Sequence, residues 1–261
     1  NIWILATMKV FAAVTCVLLA THTFAVHLQL TRGQKSFLKL VSKELDKPLD
    51  LCPICIQFTD QTIDVLLNII LNSGIIGTCE ILCSALEEKT GSKVIGAVCN
   101  ILCDIVGIEE FIKLIDKADL DPIYFCELLK TCPINDNGDA HVTVFNVVPK
   151  SGPQGVFNID LTYESKNGTG TGEIVIDIVT VDKIPVSTAF LNELKPKGIY
   201  NVPVELKAEP DPDCDPTQGP CEQWLPGQYT VKVAVCNGEC GSKHPHSQIY
   251  DEKSTTFTIT E

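Results

Sequence analysis

Basic residues are scarce in this chain of 261 residues. Lys and Arg sum to 20 against 33 Asp and Glu, for a formal net charge of −13. Binding along a phosphate backbone needs clustered Lys and Arg, so a nucleic-acid partner is excluded. Catalytic signatures are missing too. There is no Gly-x-Ser-x-Gly, no His-Glu-x-x-His and no glycine-rich loop followed by Lys. Only five His occur, and His141, His244 and His246 alone lie beyond residue 30. That leaves little for a nucleophile–base pair, and the chain reads as a non-enzyme with no cofactor and no resident metal. Beyond the N-terminus, charges interrupt each apolar run, so no later stretch reads as a membrane span, and no apolar C-terminal tail suggests a lipid anchor.

Cysteine, by contrast, is abundant, at 13 residues. Such a load points to an oxidising compartment and a disulfide framework, or to metal sites. The N-terminus favours the first. Met8-Lys9 precedes an apolar run from Val10 to Ala20, then Thr-His-Thr-Phe-Ala ending at Ala25. This is the pattern of a signal peptide cleaved after Ala25. Residues 1–25 are therefore assigned to upstream sequence and signal, and residues 26–49 to a lead-in. Cleavage removes Cys16 and leaves 12 Cys, an even number. The expected location is extracellular, reached by secretion with passage through acidic vesicles.

The mature chain changes character near residue 135. Helical signals fill residues 50–134. Phe58 to Leu71 has neither Pro nor Gly, with Ser73-Gly74 as a stop. Gly77 to Lys89 follows, then a helix capped by Ser92 and running to Val106, a short segment over Phe111 to Lys117, and a last helix from Asp121-Pro122 to Cys132-Pro133. Residues 135–140 form a turn-rich linker. Residues 141–261 alternate as strands at Val142–Val148, Phe157–Tyr163, Ile174–Thr180, Tyr229–Val235 and Thr256–Thr260. Six or seven such strands imply a β-sandwich, and the Gly227-Gln228-Tyr229 start suits the penultimate strand of an immunoglobulin-like or fibronectin-like one.

In the helical part, Cys52-Pro-Ile-Cys55 opens and Cys126-x5-Cys132 closes, with Cys79 and Cys83, then Cys99 and Cys103, between them. Each central pair is spaced i,i+4, which puts both sulfurs on one helix face. Antiparallel helices would favour a nested order: Cys52 with Cys132, Cys55 with Cys126, Cys79 with Cys103, Cys83 with Cys99. Eight cysteines allow on the order of a hundred connectivities, and the sequence does not choose among them.

This cysteine pattern, with apolar helices between, resembles the saposin-B-type family over residues 50–134. That family normally has three bridges, so the second central pair is a departure. Signal peptide, saposin-type domain and β-rich tail together are similar to the countin family of secreted slime-mould factors. The resemblance implies an all-α disulfide-bonded helical domain followed by an all-β sandwich. It also implies a non-enzymatic signalling factor that limits multicellular group size through cell adhesion, in a complex with other secreted proteins.

A second reading is lipid binding or membrane contact. Ile63, Val65, Leu66, Leu67, Ile69, Ile70 and Leu71 crowd one run, and Ile105, Val106 and Ile108 another. A small bundle does not hide apolar side chains all round a helix. The bland counterpart is a stable scaffold whose apolar residues are simply core. Between Cys52 and Cys132 stand 12 acidic residues, five Lys and no His. Repulsion by anionic bilayers is therefore expected at neutral pH, with membrane contact favoured by acid and pore formation disfavoured.

Three further motifs lie in the β-rich part. Asn167-Gly168-Thr169 is an N-glycosylation sequon, placed in a hairpin turn. Asp211, Asp213, Asp215, Thr217 and Glu222 follow an EF-hand count, but Pro216 stands where that turn needs Gly, so an acidic loop closed by Cys214 and Cys221 is favoured over calcium. Cys236, Cys240, His244 and His246 match a zinc ligand set, but an oxidising compartment favours a bridge between Cys236 and Cys240.

Overall fold

The computed structural model describes residues 50–72, 77–217 and 219–261. The signal peptide, the lead-in and the Ser73-Gly74 stop lie outside the described residues.

The N-terminal region is a disulfide-bonded helical bundle. Helix α1 (Leu51–Asn72) starts seven residues before the sequence pattern suggested. Pro53 is tolerated because first-turn N–H groups lack intrahelical partners anyway, and Asp50 Oδ1 accepts the Cys52 N–H at 3.0 Å. By length and composition α1 would suffice to cross a membrane. Its Phe58, Ile63, Leu66 and Ile69 are instead buried among the other helices. Helices α2 (Cys79–Thr90) and α3 (Lys93–Val106) are capped by Thr78 and Ser92, whose side chains accept the Ile81 and Ile95 N–H groups. Gly91, between them, adopts φ 66°, a left-handed conformation that suits glycine.

Helix α4 (Ile108–Ala118) brings Phe111 against Phe125 of α5 (Pro122–Leu128), ring edge to face at 5.5 Å. Asp121 caps α5, its Oδ1 accepting the Tyr124 N–H at 2.8 Å. This helix stops before the expected Cys132-Pro133. Lys130 turns left-handed at φ 60°, and the Thr131 and Cys132 N–H groups both donate to the Cys126 carbonyl.

The C-terminal region forms two sheets. Strands β1 (His141–Val148), β3 (Gly155–Ser165) and β6 (Gly198–Ala208) make one, in the order β1-β3-β6. The other, ordered β2-β8-β7-β4-β5, adds β2 (Ser151–Gly152), β4 (Gly172–Val179), β5 (Pro185–Asn192), β7 (Gly227–Asn237) and β8 (Gln248–Ile259). Phe157, Ile159, Leu161 and Tyr163 of β3 share one buried cluster with Ile174, Ile176 and Ile178 of β4 and with the inward residues of β7 and β8.

Two sequence expectations change here. Strict alternation fails in β1, because a register shift between Val142 and Val144 rotates the strand and buries Val147, leaving Val144 and Val148 exposed. The turn carrying Asn167 is no hairpin. Strand β3 pairs with β1 and β6 while β4 pairs with β5 and β7, so residues 166–171 cross from one sheet to the other.

Candidate functional site

The segment read as a linker is tied into the fold. The Thr171 hydroxyl, fully buried, donates to the Pro133 carbonyl at 2.8 Å. Asp139 Oδ1 accepts from the Ser165 hydroxyl and from the Lys166 and Asn167 N–H groups. The loop between β7 and β8 then reaches helix α5. Its Ser242 hydroxyl donates to Asp121 Oδ2 at 2.7 Å, and His244 stacks on Tyr124. His246 Nδ1 lies 2.7 Å from Asp136 Oδ1. Glu173 of β4 steadies this loop by accepting the Cys240 N–H at 2.6 Å.

Carboxylates crowd this seam. Glu127 is 4% exposed, and its Oε1 has no hydrogen-bond partner among the described residues. Burial pushes its pKa up to about 7; His246 pulls it down, while Asp121 and Asp136 add to the rise. Glu239 is likewise pushed up to about 7, by burial first and then by the charges of Asp121 and Glu173. Burial also raises Glu173, against the opposing Cys240 hydrogen bond.

Beside the seam a cleft of about 820 Å³ opens between α1 and the outer face of β4 and β5. Ile56, Ile63, Ile123, Val175, Ala189 and Leu191 supply apolar surface. Asp60, Asp64, Glu173, Glu193 and Glu239 supply charge, and among the described residues no Lys or Arg lines the cleft. Its chemistry suits a cationic, partly apolar partner.

The structure joins Cys52 to Cys132, Cys55 to Cys126, Cys79 to Cys103 and Cys83 to Cys99. It also joins Cys214 to Cys221 and Cys236 to Cys240. The last bridge occupies both sulfurs of the zinc-like set, while His244 and His246 face Tyr124 and Asp136. In the acidic loop, Asp211 and Asp215 accept the N–H groups of Asp213 and Thr217, and Glu222 turns away to the Trp224 N–H. Among the described residues no group of three or more His, Cys, Asp or Glu is arranged to hold a metal ion. Asn167 is exposed, but Thr169 of its sequon is fully buried and accepts the Lys195 N–H at 3.1 Å.

The contacts that build the seam escaped the sequence reading. Asp121 was legible only as a helix cap. That its second oxygen serves Ser242, 121 residues away, has no local signal. Glu127, Glu173 and Glu239 looked like ordinary surface acids within a chain rich in them.

Comparison with known proteins gives matches over both regions. The Countin N-terminal domain matches residues 50–130 and the Countin C-terminal domain residues 140–261. Countin-1 of Dictyostelium discoideum is 38% identical over 222 residues, which cover 85% of this chain and 82% of that protein. Countin-3 of the same organism is 33% identical, over 84% of this chain and 94% of its own length. Countin-2 is 34% identical, over 82% and 80%.

Proposed function

The chain belongs to the countin family, and from that premise we propose that it is a secreted, non-enzymatic signalling factor that limits multicellular group size. It acts outside the cell, in a complex with other secreted proteins, and its effect on group size runs through cell adhesion. The observation that carries this reading is the collinear match of both regions, helical and β, to countins at up to 38% identity. A seam built of capping, stacking and charge contacts suits a factor that presents both regions together. The β region offers long, solvent-facing strands for recognition. Its Tyr229 hydroxyl donates to the Leu225 carbonyl four residues upstream at 2.8 Å, a contact in keeping with an immunoglobulin-like or fibronectin-like sandwich. The helical region is of the saposin-B type, stiffened by an extra rung in its central hairpin.

The test is genetic and biochemical. Disruption of the gene in its own organism should enlarge the multicellular groups, and purified protein added outside the cells should restore them. Unchanged group size overturns the reading. Purification from the native source should yield a stable assembly of unlike subunits.

Lipid contact is the second reading, favoured by one observation. Ile81 of α2 and Ile101 and Ile105 of α3 are 57%, 50% and 46% exposed on the disulfide-linked helix pair. Anionic vesicles should then capture the protein more strongly as acid neutralises its carboxylates. Flotation that is equal or stronger at neutral pH defeats that mechanism.

A further inference from the structure

The cleft beside α1 has two long walls. Pro53, Ile56, Gln57, Asp60, Ile63 and Asp64 line it from one face of α1, at helical spacing. Ser187, Ala189 and Leu191 of β5 line it from the outer face of the sheet, where Ala189 stands opposite Val175 of β4 and Leu191 opposite Glu173. From Pro53 to Asp64 the helix runs about 16 Å. From Ser187 to Glu193 the strand side runs about 20 Å. A trough of that length suits a peptide segment rather than a compact ligand.

Among the described residues every charged group in the lining is acidic. Asp60, Asp64 and Glu193 are exposed, and a cation approaches one of them, with Lys195 Nζ 3.9 Å from Glu193 Oε2. Glu173 and Glu239 sit deeper and are half-buried. Burial, then the charges of Asp121 at the start of α5, Glu173 of β4 and Asp60 of α1, push Glu239 up to about 7. Burial also raises Glu173, against the Cys240 N–H bond and with Asp121 adding to the rise. An incoming Lys or Arg relieves this repulsion and draws both carboxyls back towards the ionised form.

The apolar part of the cleft is presented to solvent on a strained backbone. Leu120, in the turn between α4 and α5, is 48% exposed and adopts φ 71°, directly after Asp119 at φ 45°. Asp tolerates the left-handed region, whereas leucine enters it only under strain, and glycine is the residue that such a turn ordinarily takes. Leu120 belongs to neither buried core. A leucine held in that conformation at a cleft mouth reads as an anchor for a partner. Leu191, 37% exposed on the edge strand β5, lines the same cleft.

We propose that this cleft docks a segment of another secreted protein in which Lys or Arg alternates with large apolar side chains. The cations meet Asp60, Asp64, Glu173 and Glu239, and the apolar side chains pack between Leu120 and Leu191. This docking rests on the reading of the chain as one subunit of a secreted complex, and it names the surface through which a basic partner joins. Because Glu239 ionises near neutrality, the attraction grows as pH rises, opposite in direction to acid-favoured vesicle contact.

The experiment selects from a library of random peptides of about 12 residues, about 18 Å as a helix, on the full secreted chain with its bridges intact. Recovered sequences should be rich in Lys or Arg and in large apolar residues. A recovered peptide without His, titrated by calorimetry, should bind Asp60→Asn/Asp64→Asn about tenfold more weakly. Leu191→Thr should weaken it about fivefold. Leu120→Gly should weaken it as much without lowering the Tm, because glycine accepts the left-handed turn. A leucine that served only the fold would instead lower the Tm and spare binding. Affinity should rise from about pH 5.5 to about pH 8, with protons released on binding and seen as a dependence of the heat on the buffer's ionisation enthalpy. Recovered peptides without cations, or peptides indifferent to the variants, overturn the proposal. So does affinity that falls over that pH range, or equal affinity for spermidine, which carries the charge without the apolar side chains. In the assembly purified from the native source, a carbodiimide should link Asp60, Asp64 or Glu193 to lysines of another subunit. An assembly linked only elsewhere overturns the docking and leaves the secreted complex standing. A chain found alone, whose cleft still selects basic peptides, supports the site and removes the complex.

Discussion

Tyr124 of α5 and His244 of the β7–β8 loop stack with ring centroids 4.5 Å apart and planes 10° from parallel. Two residues earlier on the loop, the Ser242 hydroxyl meets the Asp121 carboxylate that caps the same helix. One carboxylate thus starts a helix with one oxygen and anchors a distant loop with the other. The Cys236–Cys240 bridge and the Glu173 hydrogen bond hold the base of that loop.

The first prediction follows from this pairing. Ser242→Ala with His244→Ala removes the loop's hydroxyl contact to Asp121 and its ring contact to Tyr124 without altering a residue of either core. A lost aromatic stack and a lost charge-assisted hydrogen bond together cost about 2–4 kcal/mol. Thermal unfolding should show a lower midpoint, with the melting of the two regions pulled apart. An unchanged single transition would mean that the seam contributes little.

A second prediction concerns pH. The Glu127 carboxyl is raised by burial from its ordinary value of 4.5 to about 7. Below the unfolded value both states hold the proton, and Glu127 costs nothing. As pH rises towards 7 the unfolded chain ionises first, so this contribution falls; above about 7 the penalty is constant. Glu127→Gln should therefore leave the melting temperature near pH 4 unchanged and raise it near pH 8. A gain of each kcal/mol is worth about 2–4 °C in a protein of this size. Calorimetry of both proteins across that range decides; a gain confined to the acid side would reverse the sign and refute the mechanism.

Much of the scaffold was legible because its signals are local. Ser92 before an apolar run, and Asp121-Pro122 before another, mark helix starts by the side chains that cap them. Strands β3, β4 and β7 alternate cleanly because one face of each is buried in the shared core. Strands β5 and β6 were not picked out. Both are sheet edges, and in β6 the exposed Pro203 interrupts a strand whose apolar face, Tyr200, Val202, Val204 and Leu206, is only half buried. The cleft was invisible for a different reason. Its walls come from α1 and from β4–β5, more than 100 residues apart in sequence, and no periodicity reports which surfaces face each other.

The third prediction concerns the central rungs. With Cys83–Cys99 closed, Cys79–Cys103 constrains only the four further residues on each helix. Chain-entropy arguments assign a loop of about 15 residues roughly 3 kcal/mol, and a shorter closed loop less. Cys79→Ala/Cys103→Ala should therefore destabilise less than removal of both central bridges, which also reopens the loop of sequence separation 16 that Cys83–Cys99 closes. Denaturant titrations of the two variants, with unreduced peptide maps to verify the remaining pairs, provide the comparison. A loss from Cys79→Ala/Cys103→Ala as large as that from removing both bridges would show that packing, rather than loop closure, dominates.

The last prediction joins modification to folding order. Asn167 is exposed in the crossover between the sheets, while Thr169 is sealed beneath it with its hydroxyl bonded to the Lys195 N–H. A glycosylating enzyme must read the Asn and the Thr of a sequon together. The folded turn presents only the first, because the Gly168 and Thr169 backbone is buried against residues 135–139 and 195. We predict that Asn167 receives its glycan while the chain is still unfolded, before the β5–β6 connection at Lys195 closes over the turn. Secreted protein should carry one glycan-sized mass that Asn167→Gln removes. Refolded, unglycosylated protein should resist the same enzyme until the turn is loosened. Thr169→Ser keeps the sequon and the hydroxyl but drops a buried methyl, at a cost of about 1 kcal/mol. It should be glycosylated in cells and remain foldable, whereas Thr169→Ala should lose both the glycan and the Lys195 hydrogen bond. Efficient modification of the folded protein would show that this crossover opens in the native state, and the proposed order of events would fail.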